Sequence, residues 1–192
     1  VQERHAFLSE QRSDLLMAKE TLHEAIKEMD GEMTARFNDT FISIKAQFKA
    51  VFRELFGGGQ ADLVLINPDN LLETGIEIVA QPPGKKLQSL SLLSGGERAL
   101  TAIALLFAIL NTRPVPFCIL DEVEAALDES NVIRYSQYLK KYSKETQFIV
   151  ITHRKGTMEG ADVLYGITMQ ESGVSKLVSV KLEEDVPVAK GV

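Results

Sequence analysis

From Val1 to about Phe56 the chain holds no proline and a single glycine, Gly31. Leu8, Leu15, Leu22 and Met29 recur every seven residues, with Ile26 and Met33 on a neighbouring stripe and Glu, Lys and Arg at most other positions. Such a repeat on a charged background predicts one helix of a coiled coil, because it keeps a narrow apolar seam facing a partner. His5, Arg12 and Lys19 occupy the alternative seam positions, which argues against stable self-pairing and for a different partner helix. Beyond Phe37 the apolar set thickens through Phe41, Ile44, Phe48, Val51, Phe52 and Leu55, as expected where a helix enters a globular core. A phenylalanine stripe at this spacing predicts packing rather than a ligand box.

Gly57-Gly58-Gly59 predicts the end of that helix and the start of a β-rich stretch. Residues 61–66 and 75–80 read as strands separated by an Asn67-Pro68-Asp69-Asn70 turn. Pro82-Pro83-Gly84 then leads to Leu93-Ser94-Gly95-Gly96-Glu97, and the strong helix formers of 97–110 predict a long helix ending near Asn111 and Pro114. Two short apolar runs follow. Residues 116–120 read as a buried parallel strand ending in the acids Asp121 and Glu122, and 147–152 as a second strand ending at His153. A helical or turn segment, a strand over 161–169 and a hairpin at Gly173 into 175–181 complete the pattern. The tail, 183–192, is acidic and then weakly patterned, and is expected to fray.

With 192 residues, 45% of them hydrophobic, the chain can bury one good-sized core. A net charge of −6 argues against a surface devoted to nucleic acid. Lys140-Lys141, Lys144 and Arg154-Lys155 are small basic clusters that ordinary solvated faces explain. The longest apolar stretch, after Thr101, is too short to cross a bilayer, and no basic segment followed by an apolar one opens the chain. The single cysteine, Cys118, sits in an apolar run and reads as a small buried hydrophobe. A cytoplasmic, disulfide-free protein with no membrane partner is expected.

The candidate chemistry lies at the ends of these elements. Gly95 and Gly96 let backbone N–H groups approach an anion, Ser94 adds a hydroxyl, and a helix N-terminus favours phosphate. Ser94 and Glu97 also satisfy a plain capping box, which accounts for the same residues without a ligand. Two adjacent acids at a strand's carboxyl end can divide labour, one holding Mg²⁺ through water and the other orienting or deprotonating an attacking water. A solvated turn is the simpler reading of the pair taken alone. His153 could donate a hydrogen bond to a phosphate, although a lone histidine is more often structural. His5 and His23 lie in a polar helical segment and carry no such suggestion. The order of the pieces, a Ser-Gly-Gly helix, an acid-tipped strand and a His-tipped strand, is what raises them above their separate explanations.

Taken together, these residues resemble a known superfamily. Leu93 to Glu97 resembles the signature motif of ABC-type ATPases, Phe117 to Glu122 their Walker B strand, Ala126-Leu127-Asp128 their D-loop and His153 their switch histidine. More narrowly, Phe56-Gly57-Gly58-Gly59, Gly84-Lys85-Lys86-Leu87-Gln88 and Leu120 to Asp128 resemble the C-terminal head segment of bacterial SMC (structural maintenance of chromosomes) proteins, from the helix near Met33 to the strand near Lys181. No Gly-x-x-x-x-Gly-Lys-Ser/Thr occurs, so the chain lacks the loop that cradles the β- and γ-phosphates. In the family that loop belongs to the N-terminal half of the head, across a coiled coil and hinge.

The resemblance implies an α/β fold: the C-terminal lobe of an ABC-type head with a mainly parallel sheet flanked by helices, over 56–182, preceded by a coiled-coil stub over 1–55 and followed by the tail at 183–192. It implies ATP and Mg²⁺ as ligands, Asp121 on the Mg²⁺ shell through water, Glu122 as general base and His153 at the γ-phosphate. Ser94, Gly95, Gly96 and Glu97 would reach ATP on an opposing head, and Asp128 would couple the two sites. The implied partners are the N-terminal half of the head, a second SMC head, the C-terminal winged-helix domain of a kleisin and, through the assembled complex, DNA, in a nucleoid-associated cytoplasmic protein. Other readings remain: a rod-linked DNA repair ATPase, a transporter ATPase, which a coiled-coil stub disfavours, and a non-enzymatic module that docks a kleisin.

Overall fold

The computed structural model describes residues 2–171 and 173–181; the tail expected to fray lies outside them. Helix α1, Gln2–Phe56, is one continuous helix of 55 residues, about 80 Å long at 1.5 Å per residue. Its heptad residues Leu8, Leu15, Leu22 and Met29 are all exposed, while Phe41, Phe48, Val51, Phe52, Leu55 and Phe56 are buried. One helix is therefore both rod and core element, and the change falls at Phe37 and Phe41, whose rings stack at 6.0 Å. Further along, Phe52 and Phe56 stack at 4.1 Å.

α1 ends as its glycines predict. Gly57 takes a φ of +67°, the Gly57 N–H donates to the Glu54 carbonyl at 3.3 Å, and the Gly58 N–H donates to the Arg53 carbonyl at 2.9 Å. That pair of bonds closes a helix only around a left-handed residue, where glycine meets no steric penalty.

Strands β1 (Gln60–Leu65), β2 (Ile76–Gln81) and β3 (Gln88–Ser89) then form an antiparallel sheet, with Ala61 opposite Ala80 and Val79 opposite Ser89. Ala61, Leu63 and Ala80 are buried with the end of α1 in the core. Lys45 and Lys49 of α1 pin the sheet by pairing with Asp62 at 3.1 and 3.2 Å. Burial pushes the Asp62 carboxyl up, but hydrogen bonds from both lysines outweigh it and hold the group below its usual range.

Helix α2, Gly95–Thr112, buries Leu100, Ile103, Ala104 and Phe107 in the same core as the end of α1. Strand β4 (Phe117–Asp121), helix α3 (Glu129–Tyr142) and strand β5 (Gln147–Ile151) make one crossover unit in which β4 and β5 run parallel, Asp121 opposite Ile151. α3 buries Val132, Tyr135, Tyr138 and Leu139, the spacing of a single helical face. Phe107 stacks on Tyr138 at 4.5 Å, and Tyr138 on Tyr142 at 4.4 Å. Two contacts tie α3 to the end of α1: the Arg134 Nη1 group donates to the Phe56 carbonyl at 2.9 Å, and Lys141 pairs with Glu54 at 2.7 Å. A short helix α4 (Lys155–Met158) precedes a hairpin of β6 (Val163–Glu171) and β7 (Val174–Lys181).

The mainly parallel sheet expected from the ABC resemblance is not what these residues build. They form three small sheets, two of them antiparallel, with β4 and β5 as the parallel pair. The reason is connectivity: short links join β1 to β2 and β6 to β7, and short links favour antiparallel neighbours, whereas a parallel pair needs a crossover such as α3. The expectation that β4 is buried on both faces also fails. Cys118, Leu120, Phe148 and Val150 pack against the core, but on the opposite face Phe117 is 55% exposed, Ile119 58%, Ile149 45% and Ile151 51%. Parallel sheets are stable with both faces covered, so this exposed apolar face is a surface suited to a covering layer.

Candidate active site

Two clusters carry the candidate chemistry, each at the end of an element whose local sequence fixes it. The first is the N-terminus of α2. Ser94 is its N-cap, and the Glu97 N–H donates to the Ser94 hydroxyl at 3.5 Å while Glu97 Oε2 accepts from the Ser94 N–H at 3.1 Å. The capping box therefore forms in full, satisfying two otherwise orphaned N–H groups. Glu97 Oε2 also accepts from the Ser94 hydroxyl at 2.7 Å and from Lys85 Nζ at 2.9 Å. The Ser94 hydroxyl first and Lys85 second hold the Glu97 carboxyl below its usual range. Gly95 has open space where a Cβ would stand, whereas a Cβ on Gly96 would lie 3.1 Å from the Ala126 carbonyl oxygen. The second glycine thus lets the start of α2 approach the segment before α3.

The second cluster is the carboxyl edge of the parallel pair. Because Asp121 lies opposite Ile151, the next residues of both strands emerge side by side, and the ladder continues through the Glu122 N–H donating to the Ile151 carbonyl at 2.9 Å. His153 Nδ1 lies 3.4 Å from Glu122 Oε1. Glu122 holds a φ of +48°, the one positive value outside glycine among the described residues. A side chain in that region costs about 1–2 kcal/mol, and such strain persists where the surroundings over-determine it. Here the Ala125 N–H donates back to the Glu122 carbonyl at 3.1 Å, closing the turn. The turn leaves Asp121 and Glu122 exposed to solvent.

Asp128 caps α3. Its Oδ1 accepts from the Asn131 N–H at 2.8 Å and from the Ser130 hydroxyl at 3.0 Å, and its Oδ2 from the Asn131 side-chain amide at 3.0 Å. The Asn131 bond is the main cause holding this carboxyl below its usual range. Arg154, beside His153, donates through Nη2 to the Leu127 carbonyl at 2.9 Å and reaches Glu129 Oε2 at 3.5 Å. Arg154 is thus a structural tie between the His153 segment and the start of α3, and Lys155 pairs with Glu159 at 3.3 Å.

Sequence reasoning missed the group beneath this edge. Glu124 is 1% exposed, and its Oε1 accepts from the Thr152 hydroxyl and, at 2.9 Å, from the Thr157 hydroxyl. Its place in an acidic turn, two residues after Glu122 and four before Asp128, gave no signal of that burial. For Mg²⁺ the donor chemistry fits in part: the Asp121 carboxylate at a strand end is a hard oxygen ligand, but the described residues hold no group of three acids or histidines able to bind a metal by themselves. Burial pushes the Cys118 thiol up, away from thiolate chemistry. No helix among the described residues is long and apolar enough to cross a membrane.

Residues 2–176 match the family model of the RecF/RecN/SMC N terminal domain. The chain belongs to the SMC family. It is 73% identical, over 184 residues, to the chromosome partition protein Smc of Bacillus subtilis (strain 168), a match that covers 96% of this chain and 16% of that protein. This SMC chain thus spans about a sixth of the length of that relative. Among solved structures, it superposes with a TM-score of 0.74 and 42% identity on the Pyrococcus furiosus Smc head domain with an extended coiled coil bound to the C-terminal domain of ScpA, covering 94% of this chain and 45% of that one. A second structure, from work on ATP-driven dimerization and DNA-stimulated activation of SMC ATPases, matches with a TM-score of 0.72 and 44% identity over 77% of this chain and 89% of that one. The SMC chain is part of the head of a bacterial-type chromosome partition protein.

Proposed function

We propose that this chain is the C-terminal half of an SMC ATPase head, which completes a nucleotide site with an N-terminal half and hydrolyses ATP to drive head engagement in chromosome condensation and segregation. The observation that carries the reading is the juxtaposition of Glu122 and His153 at the carboxyl edge of a parallel strand pair, where open α/β sheets bind their ligands. The bare face of Phe117, Ile119, Ile149 and Ile151 supports the missing half, since helices that accompany further parallel strands would cover it.

In this reading Glu122 takes the proton of the attacking water, and its turn holds the carboxylate beyond the strand where the water must stand. His153 donates to the γ-phosphate from the neighbouring strand, and Asp121 would hold Mg²⁺ through water, which supplies charge neutralisation at the phosphates. Ser94, Gly95, Gly96 and Glu97 act on the opposite head: the helix end offers N–H groups and its dipole to the γ-phosphate of ATP bound there. The Ser94 hydroxyl, now given to Glu97, turns to the phosphate on engagement. Asp128 couples the sites by its place at the start of α3. ATP shared between two such surfaces favours the dimer, and its hydrolysis removes that linkage. Solved Smc heads bound to the C-terminal domain of ScpA, and in one case to its C-terminal winged-helix domain, support a kleisin partner for this chain. DNA is engaged through the assembled complex, which makes the protein nucleoid-associated.

ATP hydrolysis by the chain with and without a purified N-terminal head half tests the reading. Turnover that appears only in the mixture is expected; a stable complex of the two halves that hydrolyses no ATP, alone or with kleisin and DNA, overturns it.

A further inference from the structure

Glu124 is a carboxyl group taken out of water beside a site made of exposed ones. It lies two residues after Glu122, inside the turn that closes β4, and its Oε1 accepts from two hydroxyls on the far side of the edge. Thr157 is on α4, but Thr152 is the residue that immediately precedes His153. Thr152 Oγ1 in turn accepts from the Arg154 N–H at 3.0 Å, so the bonds on either side of His153 converge on one hydroxyl, and that hydroxyl on one carboxylate. Glu124 Oε2 and the Tyr135 hydroxyl are both buried without a hydrogen-bond partner among the described residues. Burial and then the Glu124 charge push the Tyr135 phenol up, which puts the carboxylate against the core side of α3.

A buried acid is costly, and if the loop needed only packing, an apolar residue of that size would serve with less desolvation. What an acid supplies here is direction. A carboxylate oxygen accepts two hydroxyls in a fixed geometry, tying the end of β5 to the turn after β4 at the level where Glu122 and His153 meet. His153 is itself largely exposed, and its one side-chain partner among the described residues is Glu122.

We propose that Glu124 is the positioning residue for His153: through Thr152 it fixes the distance and orientation of the imidazole relative to Glu122, and so the place of the γ-phosphate donor. The inference rests on the ATPase reading for its catalytic meaning, but the geometric part stands on the chain alone and is tested there. Side-chain nitrogen resonances of His153 report the contact. In the chain as it stands, Glu122→Gln shifts these resonances; in a Thr152→Val or Glu124→Leu background the same substitution leaves them unmoved. Thr152→Val keeps the shape of the side chain and removes only the hydroxyl, so it remains informative should Glu124→Leu fail to fold. Glu124→Gln, which keeps an acceptor oxygen, retains the coupling. Coupling that persists in Thr152→Val overturns the proposal.

In the completed head, Thr152→Val lowers kcat on the order of tenfold with KM for ATP unchanged, the pattern of a misplaced group rather than of lost binding. On a His153→Ala background it lowers kcat no further, because the residue it positions is gone. Equal losses in both backgrounds overturn the proposal, whereas a wild-type head without turnover counts against the ATPase reading and leaves the resonance test to decide this one.

Discussion

Glu122 and His153 stand 31 residues apart in sequence, yet the imidazole Nδ1 lies 3.4 Å from the carboxylate Oε1. Parallel pairing of β4 and β5 with Asp121 opposite Ile151 makes this unavoidable, since the residues that follow the two strands must leave the sheet together. The turn at Glu122 holds the carboxylate in a backbone conformation that glycine would accept more readily.

The first consequence concerns that carboxylate. In the completed head, Glu122→Gln keeps the shape and the contact with His153 but cannot accept the proton of water. ATP-driven engagement of two heads is expected to persist while hydrolysis falls by about 10²–10⁴-fold, the usual size of a lost general base. Steady-state phosphate release alongside size-exclusion chromatography with ATP checks both halves; hydrolysis at the normal rate would remove Glu122 from the role.

Ser94→Arg separates nucleotide binding from engagement. Its bulk and charge stand at the exposed start of α2, so in the proposed reading, where Ser94 acts on the opposite head, the single head should bind ATP as before and fail to dimerise. Loss of nucleotide binding, measured by a fluorescent analogue, would contradict a contact made across two heads.

At Ser94 the chemistry also depends on pH. The Glu97 carboxyl is held down by Ser94 and Lys85, below the ordinary value of 4.5. A depressed acid contributes stability that is fully present above its unfolded value and is lost as pH falls through its folded one. Wild type should therefore exceed Glu97→Gln in thermal stability at neutral pH, and the difference should shrink only below about pH 4.5. A difference that stays constant into that acid range would show that the ionised carboxylate does not hold the cap.

Gly57 makes a test of the fold rather than the site. At a φ of +67°, with Arg134 at 3.3 Å from the position of an added Cβ, Gly57→Ala should destabilise the chain by about 1–2 kcal/mol. Urea denaturation measures it, and an unchanged midpoint would mean that the closing turn relaxes freely.

The bare face of β4 and β5 predicts a partner. Ile119→Asp places a charge in the middle of that face without touching the core, so helix content by circular dichroism should survive and self-association of the isolated chain should fall. Co-purification with an N-terminal head half should be lost; retention of that complex would place the interface elsewhere.

Much of this was legible in the sequence because the signals are local. The heptad leucines, the Gly57 stop, the Ser94 cap and the two acid- and His-tipped strands follow from neighbours within one or two turns, and each forms within a residue or two of its expected bounds. The sheet pattern was not legible, since pairing joins distant segments and a family-wide expectation of parallel strands includes strands this chain does not carry. α3 could have been read from Asp128 and the spacing of Val132, Tyr135 and Leu139. Glu124 could not: an acid in an acidic turn gives no sign that Thr152 and Thr157 will meet it from 28 and 33 residues away. Asp128 illustrates the opposite case, where the motif was visible but its plain service as a helix cap was overlooked.

α3 is capped at Asp128, beside the start of α2 and the Glu122 turn, and along its length Arg134 and Lys141 hold the last turn of the 55-residue helix α1. It is about 21 Å of stiff helix clamped at both ends, with no glycine or proline to yield in between. The start of α3 and the root of α1 are thus joined by one rigid element. Over the roughly 80 Å of α1, a rotation of only a few degrees at that root becomes a displacement of several ångströms at the far tip.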